Sequence, residues 1–599
     1  MKQTVPMRWD LDSLYPGGSR SPKLMNFLTE LQQSIENITN DIHKLQPYEE
    51  VSTEPLVQVF DEIQYVMSGS FQVEEFLICL RAENTQDDHV TKMIAESAKT
   101  KADLEKMEVE FDSLLASLSE HAWNELLENT EVRTYLFHLK ERRQRIEAKR
   151  PHEIEKTIQS LSVSGFSTWE DHYEQQLSKL RVPVETAGKT EPFSIGQAFS
   201  EVLFSDEEER RKTIIQSYNH VCASHADTFA SILNNISGFR LDVYRERGWD
   251  NVLKEALEQN RINEETVDTM TAVVKENQHL LRDFLERKAQ LARKETLTWY
   301  DIPTSSFQSK QKISYAEAKD IIVQQFHAFS EKLGAFAEKA FQEGWIEAED
   351  RADKMDGGFC TSLPLAKESR IFLSFRGHYQ DVVTIAHELG HAYHNAILHE
   401  LPYFARQKGT SVAETASTFS ENLVLDAAVN RATTDQEKLA LLEMKIVAGS
   451  TYLGMIPSMY EFEKEFYKKR QNGYVGSEEI STLMEKTETA LYGDTVGEHD
   501  RYRWMTIPQF YSTEKPFYNI PYTIGYLFSN GIYTLSKQQG EGFARRYDAL
   551  LRDTGRMTVE QLAAAHLHQD LTDKHFWEAS IKPVADAIEE YLELTNTMV

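Results

Sequence analysis

Apolar residues recur every three or four positions over most of this 599-residue chain. That spacing places them on one face of an α-helix, the face that packs into a core. Gly and Pro, which interrupt helices, number only 26 and 16. The pattern therefore predicts a mainly α fold. It is clearest in four long stretches, at residues 21–45, 95–118, 264–295 and 314–341.

A short break in the helical pattern indicates a domain boundary. Residues 181–195 resemble a hairpin or loop between helical blocks. We accordingly predict an N-terminal helical domain at residues 1–190 and a second, catalytic domain at residues 191–599.

A second strand-like region lies at residues 356–375. There Gly357 and Gly358 precede a predicted loop, and the segment RIFLSF at 370–375 alternates like a strand. The next stretch downstream is helical. We therefore expect a small β-sheet beside that helix.

The charge of the chain argues against nucleic-acid and anionic-membrane partners. The formal net charge is −30 and the sequence pI is about 5.1, whereas phosphate binding requires clustered Lys and Arg. The sequence shows no apolar signal core and no run of about 18 apolar residues. Three widely spaced cysteines, an odd number, make structural disulfides unexpected. We expect a cytoplasmic protein.

The helix after the strand-like region carries a candidate metal site. Residues 384–397 read TIAHELGHAYHNAI. His387 and His391 are four residues apart, so both imidazoles face the same side of a helix and can bind one ion. With Glu388 they form H-E-x-x-H, a zinc-site pattern. Glu388 lies about 100° around the helix from His387, beside the metal position. The alternative is a chance match with hydrogen-bonded histidines.

A third metal ligand is expected from further along the chain. Catalytic zinc commonly has three protein ligands and one open position. Residues 409–429 are predicted to be helical, and Glu414, 23 residues after His391, leaves room for a loop and a returning helix. Glu414 is the better candidate, although a single helical glutamate is more often solvated. Glu421, seven residues later on the same face, is placed to hydrogen-bond a ligand histidine.

Several segments together resemble the thimet oligopeptidase and oligoendopeptidase F family of zinc metallopeptidases, most closely its oligoendopeptidase F branch. They span nearly the whole chain, and the first two carry the metal pattern. These segments are HELGHAYH at 387–394, ETASTFSE at 414–421, WDLDSLYPG at 9–17, DGGFCTSLP at 356–364 and YNIPYTIGYLFSNGIY at 518–533.

The resemblance implies a role for each candidate residue. His387, His391 and Glu414 would bind one zinc ion per chain, and Glu388 would act as the general base. The resemblance also implies a mostly helical fold in which two lobes enclose a deep substrate channel.

An aromatic segment near the carboxyl end carries further candidates. A tyrosine-rich stripe such as residues 507–528 usually packs in a core. The resemblance instead implies that Tyr518 and Tyr522 face the zinc, where phenol hydroxyls can donate to the transition-state oxygen. Where the family commonly has a histidine, this chain has Gln509, which can donate a hydrogen bond but cannot carry a positive charge or shuttle a proton. His394, one turn after the motif, either lines the cleft or packs internally.

These features predict a zinc-dependent endopeptidase that hydrolyses short, unstructured oligopeptides. Backbone groups of residues 370–375 and of the turn Gly357-Gly358-Phe359 would hold the substrate by strand addition. A helical scaffold with a relic site is the main alternative, and a zinc aminopeptidase is the closer one, although we find no G-x-M-E-N segment to hold a free amino terminus. The same ligands also bind cobalt and manganese.

Overall fold

The computed structural model describes residues 5–45, 53–186, 188–205, 207–307, 312–540 and 542–598. Most of them are helical, so the mainly α prediction is confirmed. The helices of the first half are α1 (Pro22–Lys44), α2 (Thr53–Glu83), α3 (Asp88–Ser117), α4 (Glu120–Glu128), α5 (Leu136–Glu147), α6 (His152–Ser162), α7 (Thr168–Lys179), α8 (Ile195–Phe204), α9 (Glu208–Arg247), α10 (Lys254–Asn260), α11 (Glu264–Glu276) and α12 (Gln278–Leu291). Those of the second half are α13 (Tyr315–Phe329), α14 (Glu331–Gln342), α15 (Tyr379–Leu398), α16 (Thr415–Arg431), α17 (Asp435–Ser450), α18 (Ile456–Arg470), α19 (Ser477–Tyr492), α20 (Arg503–Thr506), α21 (Ile520–Gln539), α22 (Phe543–Asp553), α23 (Val559–Leu562) and α24 (Lys574–Thr595).

The strands are few and short, and they form three small sheets among the described residues. β1 and β2 form an antiparallel hairpin, as predicted for residues 181–195. β3 and β7 pair in parallel. β6 lies between β4, which runs parallel to it, and β5, which runs antiparallel. The bounds are β1 (Val182–Thr186), β2 (Lys189–Phe193), β3 (Leu297–Thr298), β4 (Ile346–Glu347), β5 (Phe359–Leu363), β6 (Glu368–Phe372) and β7 (Val496–Glu498).

The chain forms two compact units, each assembled from three chain segments. Unit 1 contains Met1–Ala148, Lys310–Ala428 and Ile532–Gln569. Unit 2 contains Lys149–Ser309, Val429–Gly531 and Asp570–Val599. The domain division at residue 190 stays a prediction from the sequence.

The core of unit 1 follows directly from the apolar period of its helices. α1 buries one residue at every third or fourth position. These residues are Leu24, Leu28, Leu31, Ile35, Ile38 and Ile42. These side chains pack against α2 and α3. Burying one such side chain stabilises the fold by about 1.5–3 kcal/mol, so this stripe explains why the stretch folds as one helix.

Two of the predicted helical stretches are each a pair of helices. The stretch 264–295 is divided at Asn277, between α11 and α12. The stretch 314–341 is divided at Ser330, whose side chain accepts a hydrogen bond from Leu333 N and so caps α14. The apolar period continues through both breaks because each pair of helices packs its apolar faces into the same unit.

The strand-like region also differs in detail from the prediction. Gly357 and Gly358 lead directly into β5 and not into a loop. Gly357 has φ +99°, a conformation that a side chain disfavours. The segment 370–375 is confirmed as a strand in its first part, since β6 ends at Phe372.

One helical stretch, Asp435–Arg470, is long and apolar enough to span a membrane by length and composition. It comprises α17 and α18, and 67% of its apolar window is buried inside the structure. α17 packs against α24 within unit 2. Such burial is typical of the core helix of a globular unit.

Candidate metal centre

α15 presents the two motif histidines on one face and buries its remaining faces. Val382, Ile385 and Leu389 are completely buried, and the helix packs against β5 and β6. At its amino end, Asp381 accepts a hydrogen bond from His378 N at 2.9 Å. The prediction of a helix beside a small sheet is therefore confirmed, and this packing fixes the orientation of the histidine face.

Glu414 lies immediately before the returning helix. α16 begins at Thr415 and not at residue 409, where the predicted helical stretch began. Gly390, inside the motif, explains how the two segments approach so closely. A Cβ atom at Gly390 would lie 2.4 Å from Ala416 O and 2.7 Å from Ser417 Cα. Only glycine allows the start of α16 to pack this tightly against α15.

Three donor atoms converge between these two segments. The Nε2 atoms of His387 and His391 are 3.1 Å apart, and Glu414 Oε2 lies 3.4 Å and 3.3 Å from them, respectively. Ligands at about 2.0–2.1 Å from a tetrahedral zinc ion are about 3.3 Å from one another, so the spacing fits such an ion. The three side chains are 23%, 19% and 26% exposed, which leaves room for an open coordination position. Among the described residues, this is the one group with metal-binding geometry.

Two further side chains hold the donors in place. Glu421, on α16, accepts a hydrogen bond from His387 Nδ1, which leaves Nε2 directed at the other donors. Ser417 Oγ donates to Glu414 Oε2 at 2.8 Å and to the Glu414 carbonyl at 3.0 Å. Carboxylate and hydroxyl partners of this kind orient metal ligands and tune their affinity.

The electrostatics of the cluster couple the histidines to the carboxylates. Burial lowers the pKa of His387, but the hydrogen bond to Glu421 and nearby carboxylates outweigh it and raise the pKa to about 9. Burial keeps the pKa of His391 below its ordinary value. Burial also opposes ionisation of Glu414, yet the hydrogen bond with His391 and the charges of both histidines lower its pKa to about 2. Glu414 is thus a carboxylate, the form that binds cations.

Glu388 is buried beside the donors, with 6% of its surface exposed. Burial, together with the charges of Glu414 and Glu421, raises its pKa to about 7 against the opposing effect of His387. Glu388 is not among the three converging donors. Its position flanks the ion site, as the helix geometry predicts for the residue after His387.

His394 is not among the three converging donors and packs inside unit 1. It is completely buried, and its Nε2 lies 2.8 Å from Thr554 Oγ1 and 3.2 Å from Leu551 O, both at the end of α22. Burial keeps its pKa well below the ordinary value. These contacts describe the internal packing role that the sequence left open, and they do not place His394 in a cleft.

In the sheet beside α15, β5 is an edge strand and β6 is not. β6 is the central strand, and its backbone is paired on both sides, for example through Ile371 N to Trp345 O at 2.9 Å. The expectation that residues 370–375 add a substrate strand is therefore wrong for β6. β5 is an edge strand, and the Gly357-Gly358-Phe359 turn lies at its start with both glycines exposed.

Tyr518, Tyr522 and Gln509 belong to unit 2. Tyr518 and Tyr522 are half-buried, and their rings lie 5.6 Å apart at the start of α21. Tyr511, in contrast, is completely buried and stacks on Tyr173 at 3.8 Å, as a core tyrosine does. Gln509 is half-buried in a short 3₁₀ helix before this segment.

Two residues that position the ligands, Gly390 and Ser417, were not predicted from the sequence. Gly390 is a glycine in the interior of a helix, which usually signals close packing of another segment. Ser417 lies three residues after Glu414, a spacing at which a serine hydroxyl can reach back. Both signals are present in the printed sequence, but their meaning depends on knowing which two segments meet.

A His-x-x-x-His pair on a buried helix, completed by a glutamate at the start of a second helix, is the ligand set of a metallopeptidase. The family model for peptidase family M3 matches residues 202–582, and the model for oligopeptidase F matches residues 115–181. The chain therefore belongs to peptidase family M3 and is a metalloendopeptidase. The resemblance seen in the sequence is confirmed.

Relatives and solved structures agree with this assignment. An oligoendopeptidase F homologue of Lactococcus lactis subsp. lactis (strain IL1403) is 22% identical over 541 residues, which cover 87% of this chain and 86% of the relative. A Chlamydophila abortus chain described as a candidate peptidase has a TM-score of 0.82 at 18% identity, covering 99% of both chains. Oligoendopeptidase F from Enterococcus faecium has a TM-score of 0.69 at 17% identity, covering 96% of this chain and 99% of that one. At these identities, the structures establish the fold.

Proposed function

We propose that this protein is a zinc-dependent endopeptidase that hydrolyses short, unstructured oligopeptides in the cytoplasm. The observation that carries the proposal is the convergence of three donor atoms, 3.1–3.4 Å apart, with a buried glutamate beside them. The name of the Lactococcus relative, an oligoendopeptidase F homologue, supports peptide substrates of this class.

His387, His391 and Glu414 would hold one zinc ion per chain. When bound, zinc would supply Lewis-acid chemistry, lowering the pKa of a coordinated water to about 7 and polarising the scissile carbonyl. The donor set of two imidazoles and one carboxylate favours zinc, although cobalt and manganese bind the same ligands.

Glu388 moves the protons in this proposal. Its carboxylate accepts a proton from the attacking water and later delivers that proton to the nitrogen of the leaving amine. Support for this role is that Glu388 follows His387 on α15, is buried, and is not one of the three converging donors. A second carboxylate, Glu421, keeps the His387 ring fixed while the proton moves.

Tyr518 and Tyr522 would donate hydrogen bonds from their hydroxyls to the oxygen that gains charge in the tetrahedral transition state. This role rests on the family resemblance and on the partial exposure of both rings. Gln509 can donate a hydrogen bond but cannot shuttle a proton. An extended peptide would pair with the edge strand β5 beginning at the Gly357-Gly358-Phe359 turn.

Glu388→Gln tests the proposal. The amide keeps the shape of the side chain but cannot accept a proton at neutral pH. We expect one zinc per chain, near-normal peptide binding and turnover lower by about three orders of magnitude or more, since general-base help is worth about 10² to 10⁴. Metal analysis and turnover of an internally quenched peptide measure this. Retention of most of the turnover would contradict the proposed base, and loss of the zinc would make Glu388 a ligand or support.

The choice of peptide separates endopeptidase from aminopeptidase activity. A quenched peptide blocked at both ends has no free amino terminus to anchor. Cleavage of that peptide supports the endopeptidase proposal. Cleavage only of the unblocked version would assign the chain to the aminopeptidases.

A further inference from the structure

Phe517, the residue immediately before Tyr518, has an unusual backbone conformation. Its φ is +53°, in the left-handed region that residues other than glycine rarely occupy. Such strain persists only where the surroundings determine the backbone, and it is common next to functional residues. The contacts that hold Phe517 therefore indicate what sets the position of Tyr518.

A buried glutamate holds the strained residue. Phe517 N donates to Glu463 Oε1 at 3.1 Å, and Glu463, on α18, is only 3% exposed. The Phe517 ring packs against Tyr467, one helical turn after Glu463, with ring centroids 5.2 Å apart. Burial raises the pKa of Glu463 to about 8.

The other end of the same segment is held by two further polar side chains, Arg240 and Glu170. Arg240, on α9 and 3% exposed, donates to Ser512 O at 2.7 Å and to Thr513 O at 3.0 Å. Glu170, on α7, accepts hydrogen bonds from Thr513 N at 2.8 Å and from Thr513 Oγ1 at 2.5 Å. Arg240 also donates to Tyr467 Oη at 2.6 Å. Because the Tyr467 ring packs on Phe517, this bond connects the contacts at the two ends of the segment 512–517.

We infer that Arg240, Glu170 and Glu463 are positioning residues that fix the segment 512–517 and thereby the orientation of the Tyr518 hydroxyl. A polar side chain that hydrogen-bonds backbone groups of a loop restricts the loop more strongly than packing alone, because breaking the contact leaves a polar group unpaired. The inference rests on the proposed role of Tyr518 as an oxyanion donor. All of its contacts lie within unit 2.

The test is a double-mutant cycle between Glu463 and Tyr518. Glu463→Met removes the acceptor for Phe517 N at similar volume, whereas Glu463→Gln keeps an acceptor oxygen and serves as the matched control. A poorly oriented oxyanion donor loses part of its value of about 10² to 10³ in kcat, so we expect Glu463→Met to lower kcat by about tenfold or more. We expect KM to change by less than about threefold and Glu463→Gln to stay within about twofold of the parent.

The double-mutant cycle shows whether the loss in kcat acts through Tyr518. In the Tyr518→Phe background, Glu463→Met should lower kcat by no more than about twofold, because the group it positions is already gone. Equal losses in both backgrounds, or equal losses from Glu463→Met and Glu463→Gln, would overturn the inference. An unchanged kcat for Tyr518→Phe alone would instead contradict the proposed function of that tyrosine.

A second pair of variants, at Glu170, repeats the test in case substitution of the buried Glu463 disturbs folding. Glu170 is half-buried, so Glu170→Ala removes the contact to Thr513 without emptying a fully buried site. Glu170→Gln retains an acceptor oxygen. The same split between kcat and KM, and the same loss of effect in the Tyr518→Phe background, support the inference. Additive losses overturn it.

Discussion

At the scale of single residues, the candidate site divides into donors and supports. His387, His391 and Glu414 provide the atoms that converge, and Glu421 and Ser417 orient two of those donors. The two histidines could be predicted because H-E-x-x-H is a local pattern that places both imidazoles on one face of a helix. Glu414 was predicted from its spacing after His391 and from the family resemblance. Ser417 could not be predicted, because its hydroxyl matters only once Glu414 is known to be a ligand.

The first prediction distinguishes the metal ligands from the residues that hydrogen-bond and orient them. Glu414→Ala should lose most of the bound metal, because one of three protein ligands disappears. Glu421→Gln and Ser417→Ala should weaken the zinc affinity by about 10- to 100-fold, the usual effect of removing a partner of a ligand. Zinc affinity measured with a competing chelator checks the order. Stoichiometric zinc and normal turnover in Glu414→Ala would mean that the third ligand lies elsewhere.

A second prediction concerns the tyrosines. Tyr518→Phe and Tyr522→Phe preserve packing and remove only the hydroxyls. An oxyanion donor is worth about 10² to 10³ in kcat, so at least one variant should lose more in kcat than it changes in KM. Tyr511→Phe, at a buried core tyrosine, is the matched control and should leave kcat unchanged. Unchanged kcat in both test variants would return these tyrosines to a packing role.

At the scale of elements, the site depends on the close crossing of α15 and the start of α16. The apolar period predicted helices at both places, together with the strand pair beside them. It did not predict where helices break, because Asn277 and Ser330 interrupt the backbone without interrupting the buried face. It also placed the start of α16 too early, since residues 410–412 form a 3₁₀ turn that carries Glu414 into position.

Gly390→Ala tests the crossing. The added methyl would meet backbone atoms of Ala416 and Ser417, so α16 must shift. Overpacking of this kind typically destabilises by about 1–3 kcal/mol, and the shift should also weaken zinc binding through Glu414. Thermal unfolding and zinc affinity measure both effects.

The matched control for the crossing is Gly196→Ala. Gly196 lies in α8, and a Cβ atom there has no neighbour within 4 Å. Alanine is favoured over glycine inside a helix by about 0.5–1 kcal/mol, so this variant should be neutral or slightly stabilised with full zinc affinity. If Gly390→Ala behaved like the control, the close approach of α16 would not set the ligand geometry.

At the scale of the whole molecule, we expect the protein to select substrates by size. The family resemblance implies an enclosed channel, which would admit peptides of roughly 5 to 20 residues and reject long chains. Peptides of that length should be cut, and unfolded proteins of more than about a hundred residues should not. Rapid fragmentation of denatured casein by homogeneous enzyme would contradict an enclosed channel.

The family assignment and the mainly α fold could be reached from the sequence, because their signals are local motifs and a repeated apolar period. The division into two units could not, because each unit combines three segments that are distant in the chain. Non-local contacts of that kind leave no period or motif in the sequence. The placement of β6 at the centre of its sheet is a similar case, since β4 pairs with it from more than twenty residues away.

The most direct test of the central claim is a zinc titration of the metal-free enzyme. Phenanthroline should abolish cleavage of a doubly blocked, quenched peptide, because the open coordination position is where the chemistry takes place. Zinc added to the dialysed protein should restore turnover in proportion to occupancy, with a plateau at one ion per chain. Full turnover in the metal-free protein, or a plateau that His387→Ala does not remove, would contradict the account.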